Sequence, residues 1–337
     1  MLVAMTTDAS VELGCWKNWH SESMPLRIGV STCLLGENVR FDGGHARDRF
    51  VTDVLGQWFE WVPVCPEVEI GMGTPRPTIR LVEEEDGLHL VAPSTGEDFT
   101  ESMATFSSAK VAELQKLDLD GYVLKKSSPS CGLERIKVYR GEMPSRKDES
   151  GVFAKRLLED WPALPIEEDG RLNDPRLREN FIERVFSRNR WRVLVSRGLS
   201  RRSLIEFHTA HKLLIRAHDE PAYNRMGKLV GSAGSIADEV LFKEYELEFQ
   251  RALATKATVK AHVNVLQHAM GYLKTVLDSV EKREILAALE DYRLGMLPLV
   301  VPLTLLRYNI RRHQVDYLAG QVYFDPHPRE LMLRNHC

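Results

Sequence analysis

The chain has 337 residues, 43% hydrophobic and 28% charged, which is the make-up of a soluble globular protein with room for about two domains of roughly 150 residues. No stretch approaches the roughly 18 consecutive apolar residues of a membrane span, and the amino terminus has no basic patch followed by an apolar core, so a cytoplasmic protein without a secretory signal is expected. The net charge of −3 hides a split of −11 over residues 1–169 and +8 over residues 170–337, which points to two domains with different partners, the basic one meeting a polyanion or simply presenting a solvated face.

Residues 1–25 read as a ragged leading segment containing Cys15. Residues 26–32 (L-R-I-G-V-S-T) form an apolar run of buried-strand type, followed by C-L-L-G (33–36) and the polar, glycine-bearing V-R-F-D-G-G (39–44). Apolar positions at helical spacing predict a helix over 48–58. A second strand at 61–64 ends in C-P-E (65–67) and a Gly- and Pro-rich stretch, 71–77. Residues 79–82 and 88–91 flank an acidic turn and predict a hairpin. A helix over 100–117 leads to a third buried strand at 121–124, which runs into K-K-S-S-P-S-C-G (125–132). Residues 142–150 read as a polar loop, 152–161 as a short amphipathic helix and 163–169 as a last strand. The alternation of strand and helix predicts an α/β domain over 26–172, with a doubly wound, mainly parallel sheet whose strand ends face one crevice.

At N-D-P (173–175), Asp174 is placed as a helix cap with Pro175 at the first helical position. From there the pattern is helical: 175–197, 200–217, 222–230, 237–254, 259–277, 279–294 and 299–318. An all-α bundle over 173–337 is predicted, with no repeat period.

Of five cysteines, an odd number that suits a reducing compartment, Cys337 ends the chain while Cys33, Cys65 and Cys131 each fall just beyond a predicted strand end. Three readings stand. Each is a small buried hydrophobe; or they bind zinc, against which the absence of close Cys-x-x-Cys pairs counts; or three thiolates hold an iron–sulfur cluster, for which their flanking glycines and serines leave room.

The set S-T-C-L-L-G (31–36), V-R-F-D-G (39–43), V-P-V-C-P-E (62–67), T-P-R-P (74–77) and L-K-K-S-S-P-S-C-G (124–132) resembles the thiouracil desulfidase family. F-H-T-A-H-K-L-L (207–214), Y-N-R-M-G (223–227), H-V-N-V-L-Q-H-A-M-G-Y (262–272) and V-P-L-T-L-L (301–306) resemble the helical domain often fused to it. The resemblance implies a [4Fe-4S] cluster on Cys33, Cys65 and Cys131 with one open iron, and non-redox replacement of a thiocarbonyl sulfur by water-derived oxygen with release of sulfide. The two-domain form is similar to desulfidases acting on 4-thiouridine in tRNA, which makes thiolated tRNA the expected partner and substrate. Free thiouracil, or a cluster-bearing nucleic-acid regulator without turnover, are the alternatives. No obligate protein partner is evident.

The implied chemistry needs a base and a donor. Glu67 is the candidate base; otherwise it only holds loop amides. Ser130 and Ser128, with Ser127 beside them, compete for the donor role or are plain turn residues. Arg40, Asp42 and Arg76 are candidates for reading the substrate edge, Arg40 and Asp42 being equally a loop-stabilising pair. In the basic half, Arg201, Arg202, His208, His211, Lys212, Arg225 and Lys228 are the expected RNA-binding residues, with His208, His211 and Lys212 sharing a helix face. A two-histidine metal site there lacks a carboxylate.

Overall fold

The structure is a computed structural model and describes residues 16–336; Cys15 and Cys337 lie outside them. Two compact units emerge, Pro25–Phe181 and a second built from Ile182 onward together with the described residues before Pro25.

The first unit is built on a four-stranded parallel sheet of order β2-β1-β6-β9, with β1 at Leu26–Ser31, β2 at Phe59–Val64, β6 at Gly121–Leu124 and β9 at Ile166–Glu168. Both β1 and β6 are buried along nearly their whole length, as expected of strands covered on two faces. Two helices, α2 (Thr100–Leu117) and α3 (Val152–Asp160), bring Val111, Leu114, Phe153 and Leu157 onto Tyr122, Leu124 and Ile166. The Tyr122 ring lies across Gly29 of β1, where an added Cβ would come within 2.2 Å of it. Only glycine fits there.

A second sheet of order β5-β4-β3-β7-β8 carries the predicted hairpin, β3 (Arg80–Glu84) and β4 (Gly87–Ala92), together with β5 (Glu97–Asp98), β7 (Ile136–Arg140) and β8 (Met143–Glu149). The expected loop over 142–150 is therefore an edge strand. Its sequence, M-P-S-R-K-D-E, is mostly exposed and holds a proline, and neither feature alternates as a half-buried strand does. The helix expected over 48–58 is a π-helical turn, Phe50–Val54, followed by a 3-10 turn, Leu55–Gln57. Three β-branched residues and Gly56 weaken a continuous α-helix in that stretch.

The helical elements follow the predicted order: α4 (Pro175–Ser196), within which the division between units falls, α5 (Arg201–His218), α6 (Glu220–Gly231), α7 (Asp238–Ala254), α8 (Val259–Leu273), α9 (Ser279–Arg293) and α10 (Val300–Arg312). Side-chain caps set several of their starts, the expected one at Asp174 among them, which accepts the Arg176 and Leu177 amides at 2.8 and 3.1 Å. Ser200 and Asp278 form capping boxes, and Asp219 and Thr258 accept from Ala222 and Ala261 amides. None of the described helices is long and apolar enough to cross a membrane. Trp19, in a 3-10 turn of the leading segment, meets Phe207 edge-on at 5.3 Å.

This unit buries a polar cluster. Glu183 receives an Arg334 guanidinium hydrogen bond and pairs with His218 Nε2 at 3.0 Å, while His218 Nδ1 meets the Thr255 carbonyl at 2.7 Å. Burial alone raises the Glu183 carboxyl, but the Arg334 charge and the His218 hydrogen bond more than offset it and hold it well below the usual range.

Two outcomes are expected. Gly29→Ala should destabilise the protein by about 1–3 kcal/mol through overpacking against Tyr122, seen as a lower urea midpoint. For Glu183, a depressed folded value means that its contribution is complete above the unfolded carboxylate value and lost as pH falls below it. Wild-type unfolding free energy should therefore drop more steeply between pH 5 and 3 than that of Glu183→Gln.

Candidate active site

The three adjacent strands β1, β2 and β6 run parallel, so their carboxyl ends share one edge, and each end delivers a cysteine. Cys33 sits in a 3-10 turn directly after β1, closed by Gly36 at φ 100° with its amide on the Cys33 carbonyl. Cys65 follows β2 as the residue before α1 (Pro66–Glu69), its amide donating to Glu69 Oε1 at 3.1 Å. Cys131 lies in the turn after β6, its amide donating to Ser128 Oγ at 3.1 Å. That turn is tightly clamped: a Cβ on Gly132 would meet Ile136 at 2.1 Å, and one on Gly151 would meet the Ser130 carbonyl at 2.5 Å.

All three cysteines line one cavity of about 410 Å³. Burial pushes the Cys33 thiol up to about 11, against the opposing pull of the Lys125 ammonium. Burial likewise raises Cys65, and raises Cys131 further, with the Glu67 charge adding to it. Unligated, these are neutral thiols at neutral pH. Among the described residues, a trio whose ligand atoms close to within 4.8 Å of one another is Glu84, Asp86 and His89, on the exposed hairpin of β3 and β4, and not the three cysteines. The thiols are thus spread more widely than the shell of one tetrahedral ion, and a soft all-sulfur donor set of that kind suits a multi-iron cluster better than zinc.

Glu67 lies on α1 and joins the loops. Its Oε2 accepts from Arg76 Nε at 3.0 Å and Nη2 at 2.5 Å, and its Oε1 accepts from Ser130 Oγ at 2.8 Å and Ser128 Oγ at 3.3 Å. Arg76 is buried, and its Nη1 also donates to the Val39 and Gly73 carbonyls at 2.9 and 3.0 Å. The guanidinium is thereby committed to Glu67 and two loop carbonyls, which removes it from the substrate-reading role expected of it. The serines behave similarly. Each hydroxyl has a single hydrogen, and both point at Glu67, while Ser128 Oγ also accepts the Ser130 and Cys131 amides. Glu67 and Ser128 line the cavity; Ser130 is fully buried behind it.

Arg40 and Asp42 form the loop pair, at 3.5 Å, with Asp42 also accepting the Gly44 amide at 3.0 Å. Arg40 lines the cavity and its guanidinium lies 5.3 Å from the centroid of Phe41, an exposed aromatic ring on the same wall. Residues not singled out from the sequence also contribute. Lys125 lines the cavity and pairs with Asp169, at the end of β9, at 2.7 Å, and Asp169 accepts the Lys126 amide at 2.7 Å. The lysines sit inside the K-K-S-S-P-S-C-G motif, but their partner arrives from a strand more than forty residues away.

Two of the residues expected to bind RNA do not face solvent. His208 and His211 are buried: His208 Nδ1 meets the Tyr245 hydroxyl at 3.1 Å, and His211 stacks on Phe207 with centroids 3.9 Å apart while receiving Arg190 Nε at 3.0 Å. Burial, with Lys212 nearby, pushes His208 down to about 4, and burial with Arg190 holds His211 well below its usual value. Both are neutral core residues, because helical spacing reveals a shared face but not which way it points. Arg201, Arg202 and Arg225 are engaged by Asp238, Glu206 and Glu248. Lys212 is half-buried and Lys228 exposed.

Residues 28–169 match the family model described as 2-thiouracil desulfurase, the family that the motifs resemble, and residues 212–328 match one described as protein of unknown function, DUF1722. Uncharacterized protein YbgA of Escherichia coli (strain K12) is 29% identical over 165 residues, 49% of this chain and 98% of its own. Uncharacterized protein YbbK of Bacillus subtilis (strain 168) is 29% identical over 153 residues, 44% of this chain and 98% of its own. A solved structure described as the [4Fe-4S]-dependent thiouracil desulfidase TudS is 28% identical, covers 44% of this chain and 94% of its own, and has a TM-score of 0.36.

Arg76→Met removes a buried cation from the partly buried Glu67 carboxylate and should cost on the order of 3 kcal/mol. Arg40→Met breaks a solvent-exposed pair and should leave the urea midpoint unchanged within error.

Proposed function

We infer, from a chain that carries a 2-thiouracil desulfurase domain over residues 28–169 followed by a DUF1722 region over 212–328, that the protein is an iron–sulfur-dependent desulfidase of thiolated uracil rings. One observation carries the reading: Cys33, Cys65 and Cys131, from three adjacent strand ends, line a single cavity together with the anchored carboxylate of Glu67.

The three thiols fit a [4Fe-4S] cluster in donor chemistry, and Cys33, Cys65 and Cys131, which line one cavity, are the residues that would hold it. When bound, such a cluster with one uncommitted iron supplies a Lewis acid for a thiocarbonyl sulfur. The chain supplies the rest. Glu67 takes a proton from the attacking water at Oε1 once Ser128, whose 3.3 Å bond is the longest of the four that the carboxylate accepts, turns its hydroxyl away, while Arg76 fixes the other oxygen. Ser128 and Ser130 act as positioning residues, since their hydrogens orient Glu67. Oxygen replaces sulfur at the ring carbon, the sulfur leaves as hydrosulfide carrying a water-derived proton, and no electrons are gained or lost. Phe41 offers a flat apolar face for the pyrimidine at the cavity wall, with Arg40 beside it.

We assign the ring to 4-thiouridine in tRNA. The net +8 charge of residues 170–337 supports a polyanionic carrier over a free base, although the face expected to bear it is largely neutralised by ion pairs.

Anaerobically prepared protein should be brown and should release one sulfide per thiolated ring, read by loss of the thiocarbonyl absorbance. Glu67→Gln should keep the colour and lose about 10²–10⁴-fold in turnover, whereas Cys131→Ala should lose both. Phe41→Ala should raise KM with little change in kcat. A colourless, zinc-containing preparation, or full activity in Cys131→Ala, would overturn the reading. Faster release from 2-thiouracil than from thiolated tRNA would move the substrate to the free base.

A further inference from the structure

Among the described residues, Arg40, Arg76, Lys125 and Lys126 are the cations that line the thiol cavity. They differ in how many donors they have left. Arg76 is committed to Glu67 and to the Val39 and Gly73 carbonyls. Arg40, its side chain 30% exposed, sits with the exposed Asp42. Lys126 is exposed, and its side chain runs over Gly170, where an added Cβ would come within 2.5 Å of the lysine Cδ. Lys125 is both enclosed, at 14% exposure, and largely uncommitted. An ammonium carries three hydrogens, and among the described residues only Asp169 takes one, on Oδ2 at 2.7 Å.

The position of that ammonium is fixed from both ends. Lys125 follows β6 directly, and its amide donates to Ser31 Oγ at 3.0 Å, which ties it to the end of β1. Asp169 is buried, accepts the Lys126 amide on Oδ1 at 2.7 Å and donates its own amide to the Leu124 carbonyl at 3.0 Å, so its carboxylate is held at the cavity wall. The lysine charge reaches Cys33, where it opposes the effect of burial more than any other group does.

The result is a donor whose charge is already balanced. Asp169 compensates the ammonium, so the wall does not require an anion, and two N–H groups remain for a neutral acceptor. A uracil ring that carries sulfur at one carbon keeps one carbonyl oxygen, and an oxygen enclosed in the cavity needs a donor. We propose that Lys125 contacts the substrate, donating to the ring carbonyl oxygen that the reaction leaves in place, and that Asp169 is its positioning residue. The proposal rests on the reading of the cavity as a site for thiolated pyrimidines. No covalent step involves Lys125; its contribution is binding and orientation.

The test is calorimetric titration of the anaerobically prepared full chain with uracil and with 4-pyrimidinone, which keeps the ring N3–H but has one carbonyl instead of two. Wild type should prefer uracil by about tenfold, the lower end for a hydrogen bond to a charged group. Lys125→Met keeps the length of the side chain without its donors; it should bind 4-pyrimidinone as wild type does and lose the preference. That variant leaves Asp169 buried without its cation, so Lys125→Met combined with Asp169→Asn, which removes both charges and retains an acceptor for the Lys126 amide, should show the same loss in a fold under less strain. Asp169→Asn alone should narrow the preference at unchanged affinity for 4-pyrimidinone, which a general loosening of the site would not do. No preference in wild type, or an undiminished one in both Lys125 variants, would overturn the proposal. Sulfide release is measured on the same preparations. Release without a Lys125-dependent preference overturns this contact and leaves the desulfidase reading standing; a Lys125-dependent preference without release does the reverse.

Discussion

The thiol cavity depends on a single carboxylate. Glu67 ties α1 to the Arg76 loop through Oε2 and to the Cys131 turn through Oε1, and Arg76 extends the connection to the Val39 carbonyl in the loop after Cys33. Four chain segments that meet nowhere in sequence are thereby held by one ion pair and its hydrogen bonds. Such a buried pair is not a gain in stability by itself, because both charges must leave water. Its effect is geometric. Once made, it leaves the three cysteine-bearing turns little freedom relative to one another, which is what a multi-ligand centre requires.

Burial sets the chemistry of the thiols in the same direction. Each lies where an unbound thiolate is penalised, and Cys131, the most enclosed, is penalised most. Ligation of a soft metal centre needs thiolates, so loading in the proposed enzyme releases protons and replaces them by a charge that the cavity is shaped to hold. Lys125 and its partner Asp169 bring a further compensated charge to the wall beside Cys33, from β6 and β9.

The helical unit solves a different problem. Its core encloses several histidines and an acid, and each is neutral or paired: His208 and His211 among aromatic rings, Glu183 between Arg334 and His218. The charge excess of this half therefore cannot be read off its histidines. Ion pairs engage the arginines of α5 and α6, and Arg307 of α10 shares Asp325 with Arg329.

Strand ends bearing Cys33, Cys65 and Cys131, the helix order and the cap at Asp174, which accepts the Arg176 and Leu177 amides, were legible in the sequence, because each rests on local chemistry: an apolar run, a glycine, a side chain that caps the next amides. The second sheet was half visible, since its edge strand Met143–Glu149 has no buried face to impose alternation. Glu67, Arg76, Ser128 and Ser130 could be named from the sequence as neighbours of the cysteines, but not that they bond to one another rather than to a ligand. Spacing placed His208 and His211 on one side of α5, and only packing against Tyr245 and Phe249 turned that side inward. Local sequence thus determined which groups stand at each strand end and helix start. Tertiary structure alone decided which of them were already satisfied by one another, because hydrogen-bond capacity is finite and is allotted across the fold.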